Sequence, residues 1–167
     1  FTPVSSTHMY LNYTEQRPQK SRIADDELLP YLQNLIAPFT APVIEAVKAE
    51  LSESSSILAR PLEGMIMPRP WFKGRILLMG DAVHATTPHL ASGAGMGHED
   101  AVVIADEIAS GGTVEEIFTR FENRRWPRCS MIVNNSRRLG EIEQTGGSKV
   151  EHIQVMALTM SALMAPI

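Results

Sequence analysis

The sequence predicts a mixed α/β fold, and three observations carry the prediction. Arg75-Ile-Leu-Leu-Met79 is an apolar run too short for a helix and bracketed by Gly74 and Gly80, which suits a strand buried on both faces of a sheet. A loop of mostly small residues follows from Asp81 to Gly95 and leads into a helix from Gly97 to Ala109, stopped by Gly111-Gly112. Thr113-Val-Glu-Glu116 then has the Ser/Thr-x-x-Glu spacing of a capping box and opens a long helix.

The remaining elements follow from local pattern. Residues 8 to 14 alternate apolar and polar and carry aromatics, as a strand does. Gln16 to Ser21 reads as a polar turn. Asp25-Asp26 starts a helix to Ile36 with Leu28, Leu32, Leu35 and Ile36 on one face; Pro30 falls in its first turns, where proline is tolerated. Pro42 suits the first position of a second helix to Leu51, striped by Val43, Val47 and Leu51. Ile57 to Leu62 and Met65 to Met67 are short extended pieces limited by Pro61, Pro68 and Pro70. Pro127 should kink or break the long helix near Trp126, and Gly146-Gly147 leads to a last helix from Val150 to Leu163.

Composition narrows the function classes. With 44% hydrophobic residues, 167 residues suffice for one domain with a real core. A net charge of −4 argues against a nucleic-acid partner, which calls for a basic excess. No run of about 18 apolar residues exists, so no membrane span is expected. The single Cys129 cannot form an internal disulfide, which suits a reducing, cytoplasmic location and a packing role. The chain opens on Phe1 and carries no basic-then-apolar leader, so it reads as the interior of a longer polypeptide.

The stretch from Gly74 to Asp100 carries the chemistry. Ligands of open α/β sheets sit beyond the carboxyl ends of strands, where Gly80-Asp81 falls. An ionised Asp81 can only accept hydrogen bonds, so it suits a ligand hydroxyl, and Gly80 lets a ligand approach the backbone. Gly93-Ala94-Gly95-Met96-Gly97 leaves peptide N–H groups nearly bare at a helix start, an arrangement that binds anions or polarised carbonyls. Hydrogen bonds to a charged acceptor contribute about 1.5–3 kcal/mol each, so one or two would lower a ligand pKa by roughly a unit or more.

Gly80-Asp81-Ala82-Val83-His84 resembles the Gly-Asp-Ala-x-His motif of flavin monooxygenases with the p-hydroxybenzoate-hydroxylase fold. Ala85-Thr-Thr-Pro88, Gly93-x-Gly95-Met96 and Glu99-Asp100-Ala101 keep that family's spacing, and salicylate-hydroxylase-like members look most similar. The strong match runs from about Pro68 to Glu107. The resemblance implies part of an FAD-binding Rossmann-like domain over residues 68–167, ending in C-terminal helices, and part of a sheet-based substrate domain over 1–67. It implies that Asp81 hydrogen-bonds the ribityl chain of FAD and that Pro88 lies against the isoalloxazine. It also implies that the amides at Gly95 and Met96 face the flavin N1–C2=O2 edge. Gly80, Asp81, Pro88, Gly93, Ala94, Gly95 and Met96 are thus the expected cofactor-binding residues. In the family, NAD(P)H reduces FAD and O2 gives a C4a-hydroperoxide that hydroxylates a small aromatic substrate.

Two family motifs do not occur in this sequence: the Gly-x-Gly-x-x-Gly pyrophosphate loop and the Asp-Gly pair. The chain alone is therefore expected to hold FAD weakly, with a missing N-terminal half of the same enzyme as its partner. No catalytic base is assigned. The sequence leaves the aromatic substrate, NADH against NADPH, and oligomeric state (a homo-oligomer included) open. Alternatives are a flavoprotein halogenase or reductase, or a non-catalytic interaction module.

Other residues get plainer readings. The spacing of His84, His89 and His98 fits no common zinc pattern, so no metal is expected and His84 is read as a hydrogen-bonded structural histidine. Ser92 lies in no Gly-x-Ser-x-Gly elbow. Glu99 and Asp100 are placed in a first helical turn, where the dipole favours acids. Arg124, Arg125 and Arg128 are assigned to a solvated face or to contacts with the missing half, and the methionines over 156–164 to an open interface.

Overall fold

The computed structural model describes residues 2–17 and 22–167. The polar turn expected over 16–21 falls mostly on 18–21, outside the described residues. The chain forms two compact units, Phe1–Pro61 and Leu62–Ile167. The fold is mixed α/β with helix predominating, and its strands are short.

In the first unit, β1 (Thr2–Pro3) pairs antiparallel with β2 (Met9–Tyr10). The strand expected over 8–14 shrinks to these two exposed residues, in a ladder of only two residue pairs. A 3-10 turn at Asp25–Glu27 leads into α1 (Leu28–Ile36), and α2 (Pro42–Glu50) follows with Pro42 at its first position, both as expected. Ile36 and Ile23 are buried. Lys48 Nζ donates to the carbonyls of Ala37 and Phe39 at 3.0 and 2.6 Å, which ties α2 to the end of α1.

The second unit begins with an extended segment. Met65 and Met67 donate their N–H groups to the carbonyls of Ala85 and Val83, both at 2.7 Å. The hairpin β3 (Phe72–Lys73) and β4 (Ile76–Leu77) turns at Gly74, whose φ of +59° favours glycine. Here the structure corrects the sequence. The run Arg75–Met79 is an edge of a two-residue ladder and not a strand buried on both faces; Ile76 is 70% exposed. Leu77 and Met79 do pack against the core, so only alternate residues face inward.

Three helices make the body: α4 (Gly93–Ala109), α5 (Val114–Thr145) and α6 (Lys149–Leu163). The α5 start has the expected capping box: Thr113 Oγ1 accepts from Glu116 N–H, and the Glu116 carboxylate accepts from Thr113 N–H. Pro127 does not break α5, which runs through it over 32 residues in all. One ladder bond is lost there, but Arg125 and Arg128 on either side are anchored to α4 and to the end of α6, so tertiary contacts outweigh the local cost.

Met96, Asp100, Val103 and Glu107 form the buried stripe of α4, at spacings of 4, 3 and 4. It packs against the buried stripe Phe121, Arg125, Cys129, Ile132, Ser136 and Leu139 of α5. The core adds Trp71, Val83 and Leu90. On α6 only Thr159 is buried, and it accepts from Asn135 Nδ2 at 2.7 Å. Val150, Ile153, Leu158 and Met164 are exposed, while Met156 packs against the core.

Candidate flavin-binding loop and its buried ion pair

The site begins where the hairpin ends. Gly80 has φ +59° and ψ −141°, a region essentially reserved for glycine, and a Cβ there would meet no heavy atom within 4 Å. That turn starts the short helix α3 (Asp81–His84). Asp81 is exposed and has no hydrogen-bond partner among the described residues, so its carboxylate oxygens are free to accept from a ligand. Val83 and His84 point the other way and are buried.

Asp100 organises the loop from beneath. It is fully buried, and its Oδ2 accepts from Gly80 N–H at 2.8 Å and pairs with His84 Nε2 at 2.7 Å. Its Oδ1 accepts from Arg125 Nε at 2.7 Å. Arg125 also donates to Glu99 and to the carbonyl of Met96, and Arg128 donates to Glu99 and to the carbonyls of Ala162, Leu163 and Ala165 at the end of α6. Burial works against a charged His84. The hydrogen bond to Asp100, with the Cys129 sulfur also close to the ring, outweighs it and carries the imidazole from 6.5 up to about 10. Burial likewise opposes the Asp100 carboxylate, yet the bonds from His84, Gly80 and Arg125 hold it below the ordinary range.

This overturns two sequence readings. Arg125 is not on a solvated face; it is 1% exposed. Arg124 pairs with Glu107, and Arg128 with Glu99. Asp100 is not a first-turn acid favoured by the dipole, because α4 starts at Gly93 and not at Gly97. The missed signal was that Asp100 and Glu107 share the heptad spacing of Met96 and Val103, which puts carboxylates inside the apolar stripe.

The earlier helix start also changes the donors. Met96 N–H donates to the carbonyl of Ser92 at 2.9 Å, and the Met96 side chain is buried. The unengaged amides of the first turn are those of Gly93, Ala94 and Gly95, with no side chain capping them. Ala94 and Gly95 are exposed, and a Cβ on Gly95 or Gly97 would meet nothing within 4 Å. Pro88 is exposed at the head of a 3-10 turn, Pro88–Leu90. His89 Nδ1 lies 2.8 Å from Thr87 Oγ1, and Ser92 Oγ donates to the Leu90 carbonyl.

A bare glycine turn, an unpartnered carboxylate and a first turn of free amides fit a ligand with hydroxyl groups and a polarised carbonyl edge that gains negative charge on reduction, as FAD has. His84, Asp100 and Cys129 offer three buried atoms within 4.8 Å of one another. That set does not suit a metal ion: both Asp100 oxygens already accept, and the Arg125 guanidinium occupies the cationic position.

Comparison with known proteins points the same way. The profile of the FAD binding domain family matches residues 12–136. Aurachin C monooxygenase/isomerase of Stigmatella aurantiaca is 28% identical over 142 residues, 85% of this chain and 36% of that protein. 3-Amino-4-hydroxybenzoate 2-monooxygenase of Streptomyces cremeus is 32% identical over 98 residues, 58% of this chain and 25% of that protein. Salicylate hydroxylase of Pseudomonas putida is 38% identical over 73 residues, 41% of this chain and 17% of that protein. The chain thus spans at most about a third of the length of these relatives. No solved structure matches it. No helix of the described residues is long and apolar enough to cross a membrane. The chain belongs to the FAD binding domain family.

Proposed function

We propose that this chain supplies the flavin-side loop of a monooxygenase that hydroxylates a small aromatic compound with FAD, NAD(P)H and O2. The observation that carries the reading is the exposed, unpartnered Asp81 carboxylate, set by the glycine-only Gly80 turn whose N–H is fixed on Asp100. When bound, the flavin supplies hydride acceptance and O2 activation; the protein supplies orientation and electrostatics. Asp81 accepts a hydrogen bond from a hydroxyl of the ribityl chain. The Gly93, Ala94 and Gly95 amides, at the positive end of α4, would donate to the pyrimidine edge of the flavin, where negative charge collects on reduction. Met96 anchors that turn from below, through its buried side chain and its carbonyl bond to Arg125. Exposed Pro88 gives a flat, donor-free contact for the ring. Residues 1–67 contribute to the substrate side and residues 68–167 to the flavin side. The remainder of the cofactor site comes from polypeptide outside this chain, and the enzyme acts in the cytoplasm.

Asp81→Ala is the direct test. Losing one charge-assisted hydrogen bond of about 1.5–3 kcal/mol weakens FAD binding roughly 10- to 150-fold. Flavin fluorescence titration of the whole enzyme reads it, with thermal unfolding unchanged because Asp81 is exposed. An unaltered dissociation constant removes Asp81 from the site. Product analysis with NAD(P)H, O2 and a panel of aromatic acids tests the reaction: a halogenated or reduced product, and no hydroxylated one, would replace the monooxygenase reading.

A further inference from the structure

The loop that carries Pro88 is buttressed from inside by one face of α5. Ser136, Gly140 and Glu143 stand at i, i+4 and i+7 on that helix, so they line one stripe. Ser136 Oγ donates to the Thr87 carbonyl at 2.7 Å and lies 2.6 Å from Thr87 Oγ1. His89 sits on Gly140: a Cβ there would come within 2.9 Å of His89 Cε1 and 3.2 Å of Nε2. The same ring reaches Thr87 Oγ1 through Nδ1 at 2.8 Å and Glu143 Oε2 through Nε2 at 3.4 Å.

The protons give this chain a direction. The single Ser136 hydroxyl proton goes to the Thr87 carbonyl, so the Thr87 hydroxyl donates to Ser136 Oγ. The His89 Nδ1–H then donates to Thr87 Oγ1. The brace therefore has four members in fixed donor order: His89, Thr87, Ser136 and the Thr87 carbonyl. Two of its residues flank Pro88 directly. The loop beyond is under tension, since Ala91 is in the left-handed region at φ +50° and is the only described non-glycine residue there. Leu90 is buried, so Pro88 and Ala91 are left facing outward.

We propose that His89, seated on Gly140, is a positioning residue that fixes Pro88 and the following start of α4 for the cofactor. The inference rests on the flavin reading above. It assigns Gly140 a reason of its own: a helix-interior glycine lowers helix stability, and its gain here is the space for the imidazole.

Gly140→Ala separates this role from a merely structural one. Alanine is the better helix former, so thermal stability is expected to hold or rise. The displaced ring gives up its bond to Thr87, and FAD binding weakens roughly fivefold to tenfold, as loss of about one hydrogen bond does. The visible band of the bound flavin shifts at the same time. Thr87→Val, which deletes the hydroxyl without adding bulk, is expected to reproduce both effects. In a His89→Ala background Gly140→Ala should add nothing further, because no ring is left to displace. These measurements use the flavin-loaded protein, by fluorescence titration and absorption spectra. Wild-type-like affinity and spectrum in both Gly140→Ala and Thr87→Val overturn the proposal. So does a Gly140→Ala effect that is undiminished without His89. A wild-type whole enzyme that takes up no flavin overturns the reading of the site and the proposal together, and is told apart from the other outcomes before any variant is made.

Discussion

Asp100→Ala is expected to destabilise the second unit by about 3–5 kcal/mol, the cost typical of removing one partner from a buried ion pair. The carboxylate is fully buried and satisfies three donors: Gly80 N–H, His84 Nε2 and Arg125 Nε. Without it the Arg125 guanidinium stays buried with only Glu99 and the Met96 carbonyl to answer it. Asp100→Asn keeps the shape and one acceptor and should fall between alanine and wild type. Urea denaturation reads the difference. A loss below about 1 kcal/mol for Asp100→Ala would mean that the cluster relaxes or admits water, and that the ion pair is not what holds α4 to α5.

Stability should also fall as the pH rises from neutrality toward 10, by an amount of the order of a few kcal/mol. The sign follows from His84. Its folded value, about 10, lies above the 6.5 of the unfolded chain. The folded protein therefore binds more protons than the unfolded one across that interval. The contribution is complete below about pH 6.5 and is lost as the pH climbs through 10. Asp100 behaves oppositely: its depressed pKa stabilises the fold above the ordinary 3.8 and the gain is lost on acidification below it. The groups facing His84 are Asp100, Cys129 and the ring of Trp71, with Arg125 behind Asp100. Denaturation midpoints at pH 6, 8 and 9.5 measure the slope, and His84→Gln should flatten it. A flat profile in the unsubstituted protein would show that His84 is neutral in the fold.

Much of the architecture was legible because its signals are local. The capping box at Thr113, the proline at the start of α2 and the double glycine before α6 each act on a single turn, and the structure has all three. What was not legible depended on distant partners. Arg75–Met79 has the composition of a buried strand, but its ladder holds only two residue pairs, and solvent takes the outer face. Pro127 is a helix breaker by itself; two arginines anchored 25 to 35 residues away in sequence keep α5 running through it. The site divides the same way. That Gly80 makes a turn and Asp81 faces outward is local and agrees with the residue types. That Asp100 turns inward to hold the Gly80 amide could not, because a carboxylate at a helix start has a sufficient explanation in the dipole.

The one cysteine of this chain, Cys129, is fully buried on α5 between the two packed helices. A thiol so enclosed is closed to alkylating reagents until the helices part. The rate at which an added maleimide or disulfide reagent consumes it therefore clocks the opening of the molecule, with no engineered probe. The same measurement with and without flavin would report whether occupancy of the loop slows that opening.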